Sequence, residues 1–594
     1  MRALKAVNPY LFKYKWRLLF GVVFIVLSNY FGVLAPGVIR EAIDSIIAEA
    51  KHSEWFSRTT SEEAFTKQFY NRVLMFTGLA VLFALLRGVF LFFTRQTIIV
   101  MSRHVEYDQK NDIYQHLQRL DHDFYKRNNT GDLMTRIGED VSRVRMYTGP
   151  GIMYTLNLVV LSALVVYRMF DVAPTLTLYA IIPLPVMLVT IYYVNQIVEK
   201  KSELIQAQLS NLTTMAQETF SGIRVIKAFT QETHFINRFN DQAEEYRERS
   251  ISMVRTDAFF YPVMLLLVGM STIITIFVGG RQVIDGIITP GVIAEFIIYI
   301  NMVTWPFAMV GWVSALIQRA AVSQERINQI LSTQPSMEFG NVRVKNLKGL
   351  LEFKNVSYTY PNTGITALRN VSFGLKPGER LAVVGKTGSG KSTLVGLLTR
   401  IFEATEGQVL IDNKNIKDYD AATLRDNLAY VPQDVFLFSD TIANNVAFGE
   451  ARTNQADVEQ AAKHASFHEE ACVMPLGYET IIGERGITLS GGQKQRVSIA
   501  RALMRDAPVL VLDDCLSAVD ANTEREIFNN LLTFIKNRTT VLVTHRVSAA
   551  AEFDRILVLH QAEMAELGTH DELMKRRGAY FRMVELQNRS ENLF

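Results

Sequence analysis

Six long apolar runs dominate the first half of this 594-residue chain, near Leu18–Ala35, Val73–Phe93, Ile152–Tyr167, Leu176–Val194, Phe259–Gly279 and Val292–Leu316. A hydrocarbon core about 30 Å thick needs about 20 predominantly apolar residues per helix. Inside it, every backbone N–H and C=O must be paired within the structure, which helices do segment by segment. The runs therefore predict an all-α membrane region of six helices, the third expected to begin somewhat before Ile152. Lys5, Lys13, Lys15 and Arg17 precede the first run and place the N-terminus on the cytoplasmic side. An even number of crossings returns the chain there. That first run is too long for a signal-peptide core and is followed by no small-residue cleavage site.

A mean hydropathy of +0.11 averages two different chemistries. Beyond about Leu350 the apolar runs shorten and read as a mixed α/β domain. Ser332–Leu347, with Pro335, Gly340 and nearby Gly349, interrupts both patterns and reads as a connection. The expected division is a membrane domain over 1–320, a linker over 321–348 and an α/β domain over 349–594. Net charge is +3, without the clustered basic face of a nucleic-acid binder. Cys472 and Cys515, the only two cysteines, lack metal spacing and suit a reducing compartment.

The connections between runs alternate in length. A few residues around Asp171 form a tight outer hairpin, whereas runs two and three, and runs four and five, are separated by long polar stretches. Ile205, Leu209, Leu212, Ala216 and Phe220 step by four, three, four and four along one of these, a single apolar stripe on a helix. Membrane helices thus continue into the cytoplasm; about 25 residues would reach roughly 35–40 Å. At the turns stand Phe124–Leu133 and Glu218–Lys227, each combining a glycine with aromatic and basic residues. Either could be a solvated turn; their matching positions favour docking surfaces for the soluble domain. Arg87 and Glu295 are charges within apolar runs. Glu295 lies near the outer end, where water could solvate it. Arg87 is deeper, and could pair, line a cavity or snorkel. Pro306 can kink the sixth run. The Phe, Tyr and Met of these runs could line a promiscuous pocket, although lipid-facing surface accounts for them more simply.

The α/β half carries stronger chemistry. The apolar strand Leu381–Val384 runs into Gly385-Lys386-Thr387-Gly388-Ser389-Gly390-Lys391-Ser392, and Thr393 opens an apolar helical pattern. This is a phosphate loop in strand–loop–helix context: glycines let backbone N–H groups surround phosphates, Lys391 reaches the β/γ-phosphates and the Ser392 hydroxyl can ligate Mg²⁺. A second strand, Val509–Leu512, ends in Asp513, a carboxylate placed to hold the magnesium, followed by Asp514 where a group would polarise the attacking water. A third strand ends at His545, either structural or in reach of the γ-phosphate. His464 and His468, beside Glu469 and Glu470, have zinc-compatible spacing, but a solvated helix face explains them better.

Leu489-Ser490-Gly491-Gly492-Gln493, lying between the phosphate loop and Asp513, resembles the signature of ATP-binding cassette (ABC) transporters. The resemblance spans nearly the whole chain. It implies that Tyr360 stacks on adenine, that Gln433 touches magnesium and senses the membrane helices, and that Glu484 and Arg485 couple to the cytoplasmic turns. It also implies that Ser517, Ala518 and Asp520 lie on the loop crossing between two cassettes. Six helices before one cassette resemble an exporter half-transporter, in which each signature contacts the ATP held by the opposite cassette. The implied partners are a second half-transporter, the lipid bilayer and a hydrophobic small-molecule substrate; the implied place is a bacterial inner membrane.

One residue departs from the pattern. Hydrolytically competent members carry glutamate where this chain has Asp514, one methylene shorter, and a displacement of about 1 Å can cost about 10²-fold in rate. Backbone compensation would keep Asp514 active and allow a homodimer. The run Leu512–Asp520 instead resembles one half of bacterial heterodimeric multidrug exporters, which implies a slow site here and a partner that supplies the glutamate. The expected function is ATP-driven export of amphipathic or hydrophobic molecules. A lipid flippase, or an ATP-binding regulatory or channel-like subunit, are the alternatives. No peptidase domain precedes the first run, which argues against leader-peptide processing.

Overall fold

The computed structural model describes residues 2–56, 62–450, 454–483, 486, 488–516 and 521–591. It divides into two compact units, Met1–Leu120 with Phe124–Gln334, and Asp121–Asp123 with Pro335–Phe594.

Among the described residues of the first unit, six helices are long and apolar enough to cross a membrane: α1 (Lys15–Ala48), α2 (Phe69–Arg119), α3 (Thr130–Val172), α4 (Pro174–Ser221), α5 (Glu232–Ile284) and α6 (Pro290–Ser332). All outlast the apolar runs that mark them. The third begins well before Ile152 because two π-helical stretches, Arg136–Asp140 and Tyr147–Gly151, carry the helix through a polar region without breaking it. The outer hairpin between α3 and α4 is closed by Ala173 and Pro174, whose fixed φ suits the first helical position. In α6, Pro306 stands three residues before an interruption at Met309.

Glu295 is not solvated by water. It is fully buried in α6, accepts from Arg40 Nη1 of α1 at 3.1 Å and receives the Tyr299 hydroxyl at 2.8 Å. Gly37 of α1 makes room for it: a Cβ there would stand 3.5 Å from Glu295 Oε1. A buried carboxylate paired in this way ties α1 to α6, since removing either partner would strand a charge. Arg87 lies exposed on α2 with its side chain against Gly32.

The second unit is built on two sheets. An antiparallel sheet of order β2-β1-β4-β5 joins Thr366–Leu375, Leu351–Thr359, Glu406–Ile411 and Lys414–Asn415. A six-stranded sheet follows the order β10-β9-β3-β8-β7-β6, through Glu563–Gly568, Arg555–His560, Arg380–Gly385, Thr539–Val543, Val509–Asp513 and Leu428–Val431. All its neighbours run parallel except the edge pair β10–β9. Parallel strands covered on both faces read as continuous apolar runs. Their alternation then sorts side chains between two cores: Leu381, Val383, Val509, Val511, Val541 and Val543 face one, while Ala382, Val384, Leu510, Leu512 and Leu542 face the other. Helix α7 (Lys391–Leu398) packs in the first core; α8 (His468–Val473) and α9 (Gly491–Met504) contribute to the second.

Candidate functional site: a phosphate-binding pocket at the strand ends

Because β6, β7, β8 and β3 are parallel, their carboxyl ends open on one edge, where open α/β sheets bind ligands. A pocket of about 310 Å³ lies there. Tyr360, Thr387, Gly388, Gly390, Lys391, Ser392, Thr393, Gln433, Asp513, Asp514 and His545 line it, so residues drawn from widely separated motifs converge. Ile365, Thr366 and Ala367 also line it; nothing in their sequence marks them.

The loop after β3 has the shape its glycines permit. Gly388 and Gly390 take φ of +80° and +100°, the left-handed region that glycine enters at no steric cost. A Cβ on Gly390 would fall 2.2 Å from the Ala367 carbonyl oxygen, so no other residue fits. Lys391 folds over the loop, its ammonium donating to the carbonyls of Gly385 at 2.8 Å and Lys386 at 3.0 Å. Burial depresses its pKa, and the facing Asp514 and Asp513 oppose that shift. Ser389 Oγ is buried with no hydrogen-bond partner among the described residues. Such an arrangement of N–H groups, one cation and an orphan hydroxyl fits a polyphosphate.

The metal test has a similar outcome. Ser392 Oγ donates to Asp513 Oδ1 at 3.3 Å, so a hydroxyl and a carboxylate stand together as hard oxygen donors, and Gln433 lines the same pocket. Asp513 is 3% exposed, and burial first, with neighbouring Asp514 adding, pushes its pKa up to about 6 against the opposing effects of Ser392 and Lys391. These donors fit Mg²⁺, which when bound would neutralise phosphate charge. Tyr360 is held at the mouth by a 2.9 Å hydrogen bond between its hydroxyl and Thr393 Oγ1.

Asp514 has φ +46° and its N–H donates to the Val543 carbonyl at 3.0 Å. The left-handed conformation is one that aspartate enters more readily than most residues. The Asp514 backbone is thus tied to β8, and its side chain is one methylene shorter than that of glutamate.

The signature residues do not line this pocket. Ser490 caps α9, its hydroxyl accepting from Gln493 N at 3.2 Å while Gln493 Oε1 accepts from Ser490 N at 2.8 Å, a reciprocal capping box. Leu489 is buried beneath it, and Gly491 and Gly492 form the first turn, whose N–H groups can receive an anion. One support was missed in the sequence. Glu470 of α8 accepts from Gln493 Nε2 at 2.9 Å and pairs with Arg496 at 2.7 Å, so the helix face read as merely solvated holds the signature in place. His468 bonds the Tyr478 hydroxyl at 2.9 Å and forms no metal cluster among the described residues. Glu484, Arg485, Ser517, Ala518 and Asp520 lie outside the described residues.

Comparisons with known proteins give the family. The family model described as ABC transporter transmembrane region matches residues 18–307, and the one described as ABC transporter matches 368–517. The multidrug resistance-like ATP-binding protein MdlA of Escherichia coli is 34% identical over 97% of this chain and 95% of its own length. The chain belongs to the ABC transporter family. This transporter is also 33% identical to an ATP-dependent lipid A-core flippase of Syntrophus aciditrophicus, over 86% of this chain and 85% of that protein. A solved structure of a bacterial Atm1-family ABC exporter with ATP bound superposes with a TM-score of 0.76 at 25% identity, covering 96% of this chain and 98% of that one. The transporter is therefore a multi-pass membrane protein of the exporter type, its transport coupled to ATP hydrolysis, and exporters of this type work as dimers.

Proposed function

We propose that this transporter is one half of a heterodimeric exporter of amphipathic or hydrophobic small molecules in a bacterial inner membrane, and that its own composite ATP site is slow. In this reading Tyr360 stacks on adenine, Gly385–Thr393 cradle the phosphates, and Ser392, Gln433 and Asp513 hold Mg²⁺. Asp514 polarises the attacking water and His545 contacts the γ-phosphate. Leu489–Gln493 serve the ATP of the second half; Glu484 and Arg485 couple to the membrane helices, and Ser517, Ala518 and Asp520 cross to the opposite cassette.

The observation that carries the asymmetry is Asp514: a carboxylate one methylene shorter than glutamate, on a backbone tied to Val543, among the residues that line the pocket. The intact, capped signature supports a chain that helps its partner hydrolyse. Expression alone and with candidate second halves, followed by oligomeric state and ATPase, tests the dimer. In the heterodimer, Asp514→Asn should leave steady-state ATPase nearly unchanged; a near-total loss overturns the asymmetric reading. The flippase relative supports a second reading, lipid transport by the same engine; vesicle assays with dyes against labelled lipids separate the two. ATPase dependent on a second chain, with uphill transport, excludes a purely regulatory subunit.

A further inference from the structure

The membrane unit holds a cavity of about 260 Å³ between α3 and α6. Tyr154 and Leu158 of α3 and Trp305, Met309, Val310 and Val313 of α6 give it apolar and aromatic walls. Tyr154 is braced edge-on by Trp312 at 5.8 Å. The interruption of α6 at Met309, three residues after Pro306, lets both segments of that helix contribute. No charged residue lines the cavity; Thr155, Asn157 and Ser314 bring polar side chains to it, beside the Tyr154 hydroxyl and the Trp305 indole N–H.

The orientation of Asn157 follows by elimination. Asn29 of α1 is 5% exposed and donates through Nδ2 to the Ile25 carbonyl at 3.0 Å. A carbonyl can only accept, so the nitrogen of Asn29 must occupy that position. The second hydrogen of the same nitrogen goes to Asn157 at 2.9 Å, which must therefore offer its oxygen. The Asn157 N–H₂ is left without a partner among the described residues, on a side chain that lines the cavity. Thr155 already spends its hydroxyl proton on the Gly151 carbonyl at 2.7 Å.

We infer that this cavity is a substrate subsite selecting uncharged aromatic molecules that carry a hydrogen-bond acceptor, with Asn157 as the recognising donor and Asn29 as its positioning residue. An unpaired charge in such surroundings is costly, and the amide donor presents its positive end, which disfavours cations in particular. The volume lies just under the roughly 300–1,000 Å³ of ordinary ligand pockets. It has room for a fused-ring body. The inference rests on the export reading above and sharpens its substrate class.

The test uses the full transporter with its second half in lipid nanodiscs and two probes: Nile red, uncharged with a ring carbonyl, and ethidium, a fixed cation. Binding is read by quenching of tryptophan fluorescence, and turnover by probe-stimulated ATPase. The wild type should respond to Nile red at concentrations about tenfold below those needed for ethidium, a difference of about one hydrogen bond to a neutral group. Asn157→Asp replaces the donor by an anion of the same shape and should reverse that preference, a gain for ethidium that misfolding cannot produce. Asn29→Leu should erase the preference without reversing it, because the freed amide can present either end. An unchanged preference in Asn157→Asp, or a wild type that favours ethidium, overturns the subsite. If both probes cross vesicle membranes with ATP yet ignore Asn157, only the subsite falls; if neither binds nor crosses, the export reading falls with it.

Discussion

The two cytoplasmic excursions of the membrane unit look equivalent in sequence and are built differently. The first, formed by the end of α2 and the start of α3, is part of a core of its own unit. Val105, Ile113, Leu117, Leu133, Val141 and Val144 are buried there with Ala320, Ile327 and Ile330 of α6. Polar contacts add to that core: Gln109 Nε2 donates to Gln324 at 3.1 Å, the Ser323 hydroxyl donates to buried Asp140 at 2.8 Å, and Arg326 pairs with both Asp132 and Asp140. The second, formed by the end of α4 and the start of α5, is held mainly by its own two helices. Gln208 bonds the backbone and side chain of Gln242, and Lys201 bonds Ser252 and Thr256. Over Glu232–Ala258 no residue is buried, and at its turn Phe220, Val225 and Phe229 are 72%, 62% and 70% exposed. An apolar cluster left open in one chain of a dimeric exporter is the kind of surface a second chain covers. The first excursion is thus buried within its own unit, and the second is left exposed.

Three substitutions would break or sharpen this contrast. The largest effect on stability is expected from Ile113→Ala, which opens a cavity in a fully buried site and should cost about 2–5 kcal/mol, read as a large fall in the thermal unfolding temperature of the detergent-purified chain. Asp140→Ala should follow at about 1–3 kcal/mol, since Arg326 keeps some access to water and retains Asp132; a neutral result would mean that the buried network contributes nothing net. Val225→Asp should change the stability of the single chain by no more than about 0.5 kcal/mol while lowering transport and substrate-stimulated ATPase of the assembled dimer. If Val225→Asp instead unfolds the chain, or leaves transport intact, the exposed turn has no part in the work of the assembled dimer.

The same contrast runs through what was legible beforehand. Local chemistry marked the six membrane helices, because burial in lipid demands length and apolarity from consecutive residues. It marked the phosphate loop equally well, because Gly388 and Gly390 must enter backbone conformations closed to other residues. Features that depend on residues far apart were not legible. Glu295 reads as a charge close enough to the surface to be wetted, and only the fold brings Arg40 and Tyr299 to it. Glu470 reads as one more charge on a polar helix, and only packing sets it against Gln493 and Arg496. The apolar stripe on α4 lies on a helix, but Leu209 and Phe220 on it are exposed while Ile205 and Leu212 are buried, since periodicity defines a face and not its partner.

By itself the sequence determined the class of machine, six membrane helices joined to a nucleotide cassette, and the chemical identity of each group at the phosphate site, Asp514 among them. The tertiary structure alone decided that those groups share one pocket, that the Asp514 backbone is tied to β8, that one excursion is buried while its counterpart is open, and that Asn29 of one helix holds the amide oxygen of Asn157 on another. The reason is physical. Helix length, apolarity and glycine conformation are properties of neighbouring residues, whereas burial, ion pairing and the direction in which an amide points are set by side chains that the folded chain brings together across hundreds of residues.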